Sequence, residues 1–364
     1  QTNNCRNPYL GLLIRKYFEL MELFIFLASP IFATLSSFSI IYSIRFLDAI
    51  EREPLKPIIA AFAWGIASAI AILIFPFSIG DYIINTYDLD PNLSEVFGTI
   101  IDAPIKEEIY KFVGLFFVFK TFKKEFHSLT DFVVYSCLVA AGFQFIENII
   151  YLWGTLGYEN DITYYWNMQL TGRVIESGYM HVLFTAWSGV GLWFYKKSTK
   201  IKLNFLFFVL IAIGLHFFNN LSSVFSSFES SNSIAAINYL GNISYAITRA
   251  LSIALFITLI GFSVIRDINY LNFFIFEIHD QNLLEKPQLQ TLKELSNPIY
   301  HLLARYKWSW RLFKLHKTSQ VRRDIFNSFS KYALSYSDEY INYEKKERKI
   351  ILSNAINLIS NVFT

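Results

Sequence analysis

Two adjacent glutamates and a lysine interrupt an otherwise apolar stretch, Ala103-Pro104-Ile105-Lys106-Glu107-Glu108-Ile109-Tyr110-Lys111-Phe112. Glu107 and Lys111 are four residues apart, so on a helix they share a face and can pair. Glu108 lies ~100° round the axis. Further along, equally apolar segments carry Glu147, then His181, then His216 followed by Asn219 and Asn220. A charge at the centre of a bilayer costs roughly 3 kcal/mol even on the lenient insertion scale. Taken singly, each residue has a bland account: a Glu–Lys pair closing a helix interface, an interfacial acid at Glu147, hydrogen-bonded packing histidines. Four separate apolar segments bearing acid, imidazole and amide point instead to one shared polar site.

A partly desolvated glutamate can take a proton from water, and histidine and asparagine side chains can donate to an oxyanion forming on a carbonyl. Two imidazoles with one or two carboxylates can alternatively hold a divalent metal and leave a position open for water. Both schemes end in water attacking an amide. A nucleophilic serine or cysteine is not indicated: GxSxG is absent, as is HExxH, and Cys137 has no base beside it in sequence. With only Cys5 and Cys137 and no CxxC, a closed structural zinc site is excluded.

The elements that must carry these residues are membrane helices. The chain is 54% hydrophobic and 18% aromatic, with the excess gathered in runs of membrane length. The pattern predicts seven spans at 19–44, 57–79, 98–119, 131–153, 173–195, 203–225 and 234–264, with Trp and Tyr at several ends. Alternate loops contain Arg45, Arg52 and Lys56, then Lys120, Lys123 and Lys124, then Lys196, Lys197, Lys200 and Lys202; the loops between them contain no Lys or Arg. The positive-inside rule therefore puts the basic loops and the C-terminus in the cytoplasm. Seven spans leave the N-terminus outside, where Arg6, Arg15 and Lys16 fit poorly. A misread span, or one upstream of Gln1, would reconcile the two. In this topology the acids and histidines lie ~9–15 Å below the outer surface, in a single layer.

The expected fold is thus an all-α polytopic membrane protein, with a transmembrane domain over 1–265 and a cytoplasmic helical domain over 266–364. The latter reads as amphipathic helices at 319–335 and 339–362, with a regulatory or partner-docking role. Its stretch from Arg305 to Arg323, with Trp308, Trp310 and Phe313, reads as bundle core or as a surface for anionic lipid. Arg249, in the seventh span, reads as a counter-ion to the acidic cluster or as a packing residue.

The ordered motifs Glu107-Glu108-x-x-Lys111, Phe143-x-x-x-Glu147-Asn148, His181 and His216-x-x-Asn219 resemble the PrsW family of intramembrane proteases, distant relatives of the CAAX-processing and bacteriocin-processing membrane proteases. The resemblance covers about 98–225. In the wider superfamily an arginine follows the paired glutamates and a histidine sits in the second motif; Lys111 and Glu147 at those positions favour the PrsW branch. The resemblance implies cleavage of a membrane-anchored protein by water attack, often as the first cut of a regulatory cascade, with that protein and lipid as partners and no nucleic acid; the depth of the polar layer favours access from the extracytoplasmic side. By the same resemblance Glu107 or Glu108 is the general base, while Glu147 and His181 position water or metal. His216 with Asn219 or Asn220 polarises the carbonyl, and a bound zinc would draw on Glu108, Glu147, His181 and His216. Two other classes compete. A proton-coupled transporter predicts broken helices and a relay from face to face; a non-catalytic receptor or scaffold predicts that partner binding survives loss of the acids and imidazoles.

Overall fold

The computed structural model describes residues 8–47, 53–75, 79–87, 96–158, 161–197, 204–227, 235–281, 283, 328–336, 343 and 345–359. Cys5, Arg6, Arg52, Lys200, Lys202 and the stretch Arg305 to Arg323 lie outside them, as does the first half of the helix expected at 319–335. The described chain is helical throughout, with no strand. Its helices are α1 (Pro8–Leu47), α2 (Leu55–Ile74), α3 (Ile79–Tyr87), α4 (Ala103–Thr121), α5 (Leu129–Gly154), α6 (Ile162–Gln169), α7 (Met180–Lys197), α8 (Asn204–Ser227), α9 (Ala235–Asp280) and α10 (Lys345–Ile359).

Five helices, α1, α2, α5, α8 and α9, are long and apolar enough to cross a membrane, where the sequence pattern predicts seven spans. The other two segments do form helices, α4 and α7. α4 carries Lys106, Glu107, Glu108, Lys111 and Lys120, and α7 is only 18 residues long and ends on Lys196 and Lys197. Both pack into the bundle beside α5. The expected fifth span also starts late: residues 162–176 form α6 and a π-helical turn before the chain enters α7.

α5 is the axis of the bundle. Of its apolar stretch 89% is buried, against 22–33% for the other four crossing helices, whose remaining apolar faces have only lipid to meet. It begins with a capping box: Ser128 Oγ accepts from the Asp131 backbone N–H at 3.4 Å, and an Asp131 carboxylate oxygen accepts from Ser128 N–H at 2.8 Å. Glycines then let the neighbours in. A Cβ on Gly142 would lie 2.0 Å from the Phe62 carbonyl oxygen, and one on Gly65 would lie 2.0 Å from that of Val139. α2 and α5 therefore cross with backbones touching, as small residues permit in membranes.

α9 runs on past residue 264 to Asp280. There Leu271, Phe274 and Ile278 pack against Phe329, Ala333 and Leu334 and against Leu352 and Ala355, the last two from α10. Lys331 pairs with Glu125, and Thr130 donates to Asp267 at 2.5 Å, tying this C-terminal cluster to the turn between α4 and α5.

Candidate active site

Two π-helical turns deliver the site. Gly98–Asp102 leads into α4, whose Pro104 occupies a first-turn position that needs no N–H partner. The Asp102 carboxylate accepts from Gly80 N–H through both oxygens, at 3.1 and 2.9 Å, and so pins α3 to this turn. Leu170–Glu176 is the second turn, and it carries Arg173. Such wide turns recur where helices must open toward a site, and both line a cavity of about 540 Å³.

Glu107, Glu147, His181 and His216 line that cavity, with Glu108 and Lys111 fully buried behind them. Lys111 is fully buried; its Nζ lies 2.8 Å from Glu108 Oε1, 3.3 Å from Glu107 Oε2 and 3.0 Å from His181 Nδ1, and 4.0 Å above the Phe143 ring. Glu108, also fully buried, accepts from Thr185 Oγ1 at 2.8 Å and lies 3.2 Å from His216 Nδ1. His181 Nε2 lies 2.6 Å from Glu147 Oε2. The second oxygen of Glu147 pairs with Arg173 at 3.2 Å, and Arg173 stacks 3.3 Å over Tyr151. The two imidazoles stand edge to face, 5.1 Å apart.

Each histidine thus has one ring nitrogen held by a carboxylate, Glu147 for His181 and Glu108 for His216. The other nitrogens face Glu107, with His181 Nδ1 3.7 Å and His216 Nε2 3.9 Å from its Oε2. One ligand atom from each of Glu107, His181 and His216 lies within 4.8 Å of the others, and all three residues are buried. Two imidazoles and a carboxylate suit zinc, and imidazoles oriented by outer carboxylates are the usual support of such sites. The converging set contains Glu107, whereas the sequence reading names Glu108 and Glu147 with the two histidines. Those two carboxylates instead sit behind the rings.

Asn219 and Asn220 both line the cavity; Asn220 Nδ2 donates to the Thr99 carbonyl at 2.9 Å and so holds α8 to the first π turn. Among the described residues Arg249 makes no ion pair with an acid of the cluster. It donates to Ser177 Oγ and stacks 4.1 Å over Tyr245, while Lys111 and Arg173 carry the neutralising charge. Arg173, Thr185 and Gln144 escape the sequence reading. Gln144, Glu147, Asn148 and Tyr151 form a polar stripe at helical spacing that was available to find Gln144. Thr185, one turn after His181, looks like any small hydroxyl in a membrane helix.

A bundle of membrane-length apolar helices closed round a carboxylate–imidazole–ammonium cluster fits a membrane protein with a buried polar centre. Residues 53–254 match the model of the PrsW family intramembrane metalloproteases, and the chain belongs to that family. The match runs from the start of α2 into α9 and takes in every residue of the cluster. No curated protein and no solved structure matches the chain.

Proposed function

We propose that the chain is an endopeptidase that hydrolyses a peptide bond of a membrane-anchored protein at the Glu107–His181–His216 cluster. The observation that carries this reading is the convergence of those three ligand groups on one cavity, each histidine braced from behind by a carboxylate. Glu107, His181 and His216 would hold a divalent metal, zinc by donor type. Bound there, it would supply Lewis acidity to water and to the scissile carbonyl. Glu147 and Glu108 fix the ring orientations, and Lys111 offsets the charge of the paired glutamates. Asn219 faces the cavity as a partner for the carbonyl. The water oxygen bonds to the carbonyl carbon, its two protons pass to the amide nitrogen, the C–N bond breaks, and a carboxylate and an ammonium group leave.

One observation favours a second, metal-free reading. The Lys111 ammonium already lies 3.0–3.3 Å from His181 and Glu107, so the cluster has an internal cation, and Glu107 alone could carry the proton from water to the leaving nitrogen. In both readings the C-terminus and the cluster of residues 266–364 are cytoplasmic and regulatory, and the cavity opens toward the extracytoplasmic half of the bilayer.

The test compares purified wild type with Glu107→Ala, His181→Ala and His216→Ala. Elemental analysis should find near-stoichiometric zinc in the wild type and none in the variants. Sequencing of protein N-termini from membranes incubated with each should reveal new ends with the wild type alone. New ends without metal select the glutamate mechanism; no new ends from folded wild type remove the protease reading. A milder variant, Glu147→Gln, should keep the fold and lower zinc affinity and cleavage about 10–100-fold, the usual effect of losing a histidine's outer carboxylate.

A further inference from the structure

Gln144 is 1% exposed, and neither its Oε1 nor its Nε2 has a hydrogen-bond partner among the described residues. It sits on α5 one turn before Glu147 and lines the same cavity as the cluster. Asn148, 2% exposed, has its Nδ2 unpartnered among the described residues, and Asn219 likewise its Oδ1; both line that cavity. A buried polar group left unmet costs about 1–3 kcal/mol, and folded proteins leave few of them. Three amides on two helices, all lining one cavity, thus present four hydrogen-bonding atoms that have no partner among the described residues. A glycine stands beside Gln144. A Cβ on Gly178 would come within 3.1 Å of Gln144 Nε2, 2.9 Å of Ser36 Oγ and 2.2 Å of the Val174 carbonyl oxygen, so residue 178 itself adds no side chain beside the amide.

The chemistry of these groups defines the ligand. A glutamine amide presents an acceptor and a donor side by side, the complement of the C=O and N–H of a peptide main chain. A helical segment offers neither group, since both are bonded within its own turns. An extended segment offers both, and in a membrane it must find partners for them. We propose that Gln144, flanked by Asn148 and Asn219, binds the main chain of an unwound polypeptide segment beside the Glu107–His181–His216 cluster. The ligand class is peptide backbone, whatever its side chains, and the inference rests on the protease reading above. A scissile carbonyl engaged in its own helix is shielded from water. Gln144 would compensate the hydrogen bonds given up on unwinding and hold the strand within reach of Glu107.

The test uses Gln144→Met, an apolar replacement of similar length, in the purified full chain. The probe is a capped hexapeptide of alternating leucine and alanine, together with congeners in which one backbone N–H at a time is replaced by an ester oxygen. Binding is measured by equilibrium dialysis, with the peptide verified intact by mass spectrometry. Wild type should bind the parent peptide and lose about tenfold in affinity for one ester position, the loss expected for one good hydrogen bond. Gln144→Met should bind the parent more weakly and treat that ester and the parent alike. Its thermal unfolding temperature should equal or exceed that of wild type, because an unmet buried amide has been removed. A glutamine that served the fold would show the reverse, a lower unfolding temperature. That result, an ester preference that persists in the variant, or failure of wild type to bind the parent peptide overturns the inference. None of these readings depends on turnover, so they stand apart from the metal and N-terminal tests of the protease reading.

Discussion

Lys111→Met will abolish cleavage and cost the folded protein about 3–5 kcal/mol, the usual penalty for removing one partner of a buried ion pair. The size follows from what is left behind. Glu108 is fully buried, and the Lys111 ammonium at 2.8 Å is the only permanent cation paired with it among the described residues. Thr185 and His216 can solvate a carboxylate but do not neutralise it. Glu107 and His181 lose the same ammonium, so the convergence of the three ligand groups loosens as well. Adding Glu108→Gln to Lys111→Met should restore much of the stability, because a neutral amide no longer demands a counter-charge, while leaving the protein inactive. Thermal unfolding in detergent with parallel cleavage assays separates the two effects. A single variant that melts with the wild type would show that the pair contributes no stability.

Gly142→Ala is expected to be about as damaging without touching a charge. The added methyl would sit 2.0 Å from the Phe62 carbonyl oxygen and 2.8 Å from its carbon. Both are backbone atoms of a helix and cannot swing away, so α2 and α5 must part. Overpacking of an ordinary core costs about 1–3 kcal/mol, and this contact lies at or above the top of that range. Parting the helices also shifts Gln144 and Glu147, so cleavage should fall with stability. Gly214→Ala is the control. Nothing lies within 4 Å of a Cβ there, and alanine in a helix interior should hold or raise the melting temperature. Equal melting of the two variants would mean that α2 and α5 do not cross this closely.

The cluster was readable from sequence because lipid makes ionisable residues conspicuous. Glu107, Glu108, Lys111, Glu147, His181 and His216 stand out against apolar neighbours, and the structure brings all six together. Their division of labour was not readable. Which of two adjacent glutamates faces a pair of imidazoles depends on the rotation of α4, and the contacts that bear on it, such as Gly114 against Trp64 and Ser68, leave no signature in the polar pattern. Arg173 sits at the edge of a predicted span, where a cation looks like an anchor; only the π turn carries it to Glu147. Of the seven expected spans, five are long and apolar enough to cross a membrane; α4 and α7 fall short of that composition because the lysines and glutamates of α4 and the terminal lysines of α7 lower their hydropathy.

α9 is a single helix of 46 residues, about 69 Å at the standard rise. Tyr245 near its start lines the cavity, while Phe274 and Ile278 near its end lie in the C-terminal cluster. One unbroken helix thus joins the wall of the cavity to the C-terminal cluster. A rigid rod of that length would turn a rotation of a few degrees about the cluster into a displacement of several ångströms at Tyr245, so the two ends are mechanically joined although they share no side-chain contact.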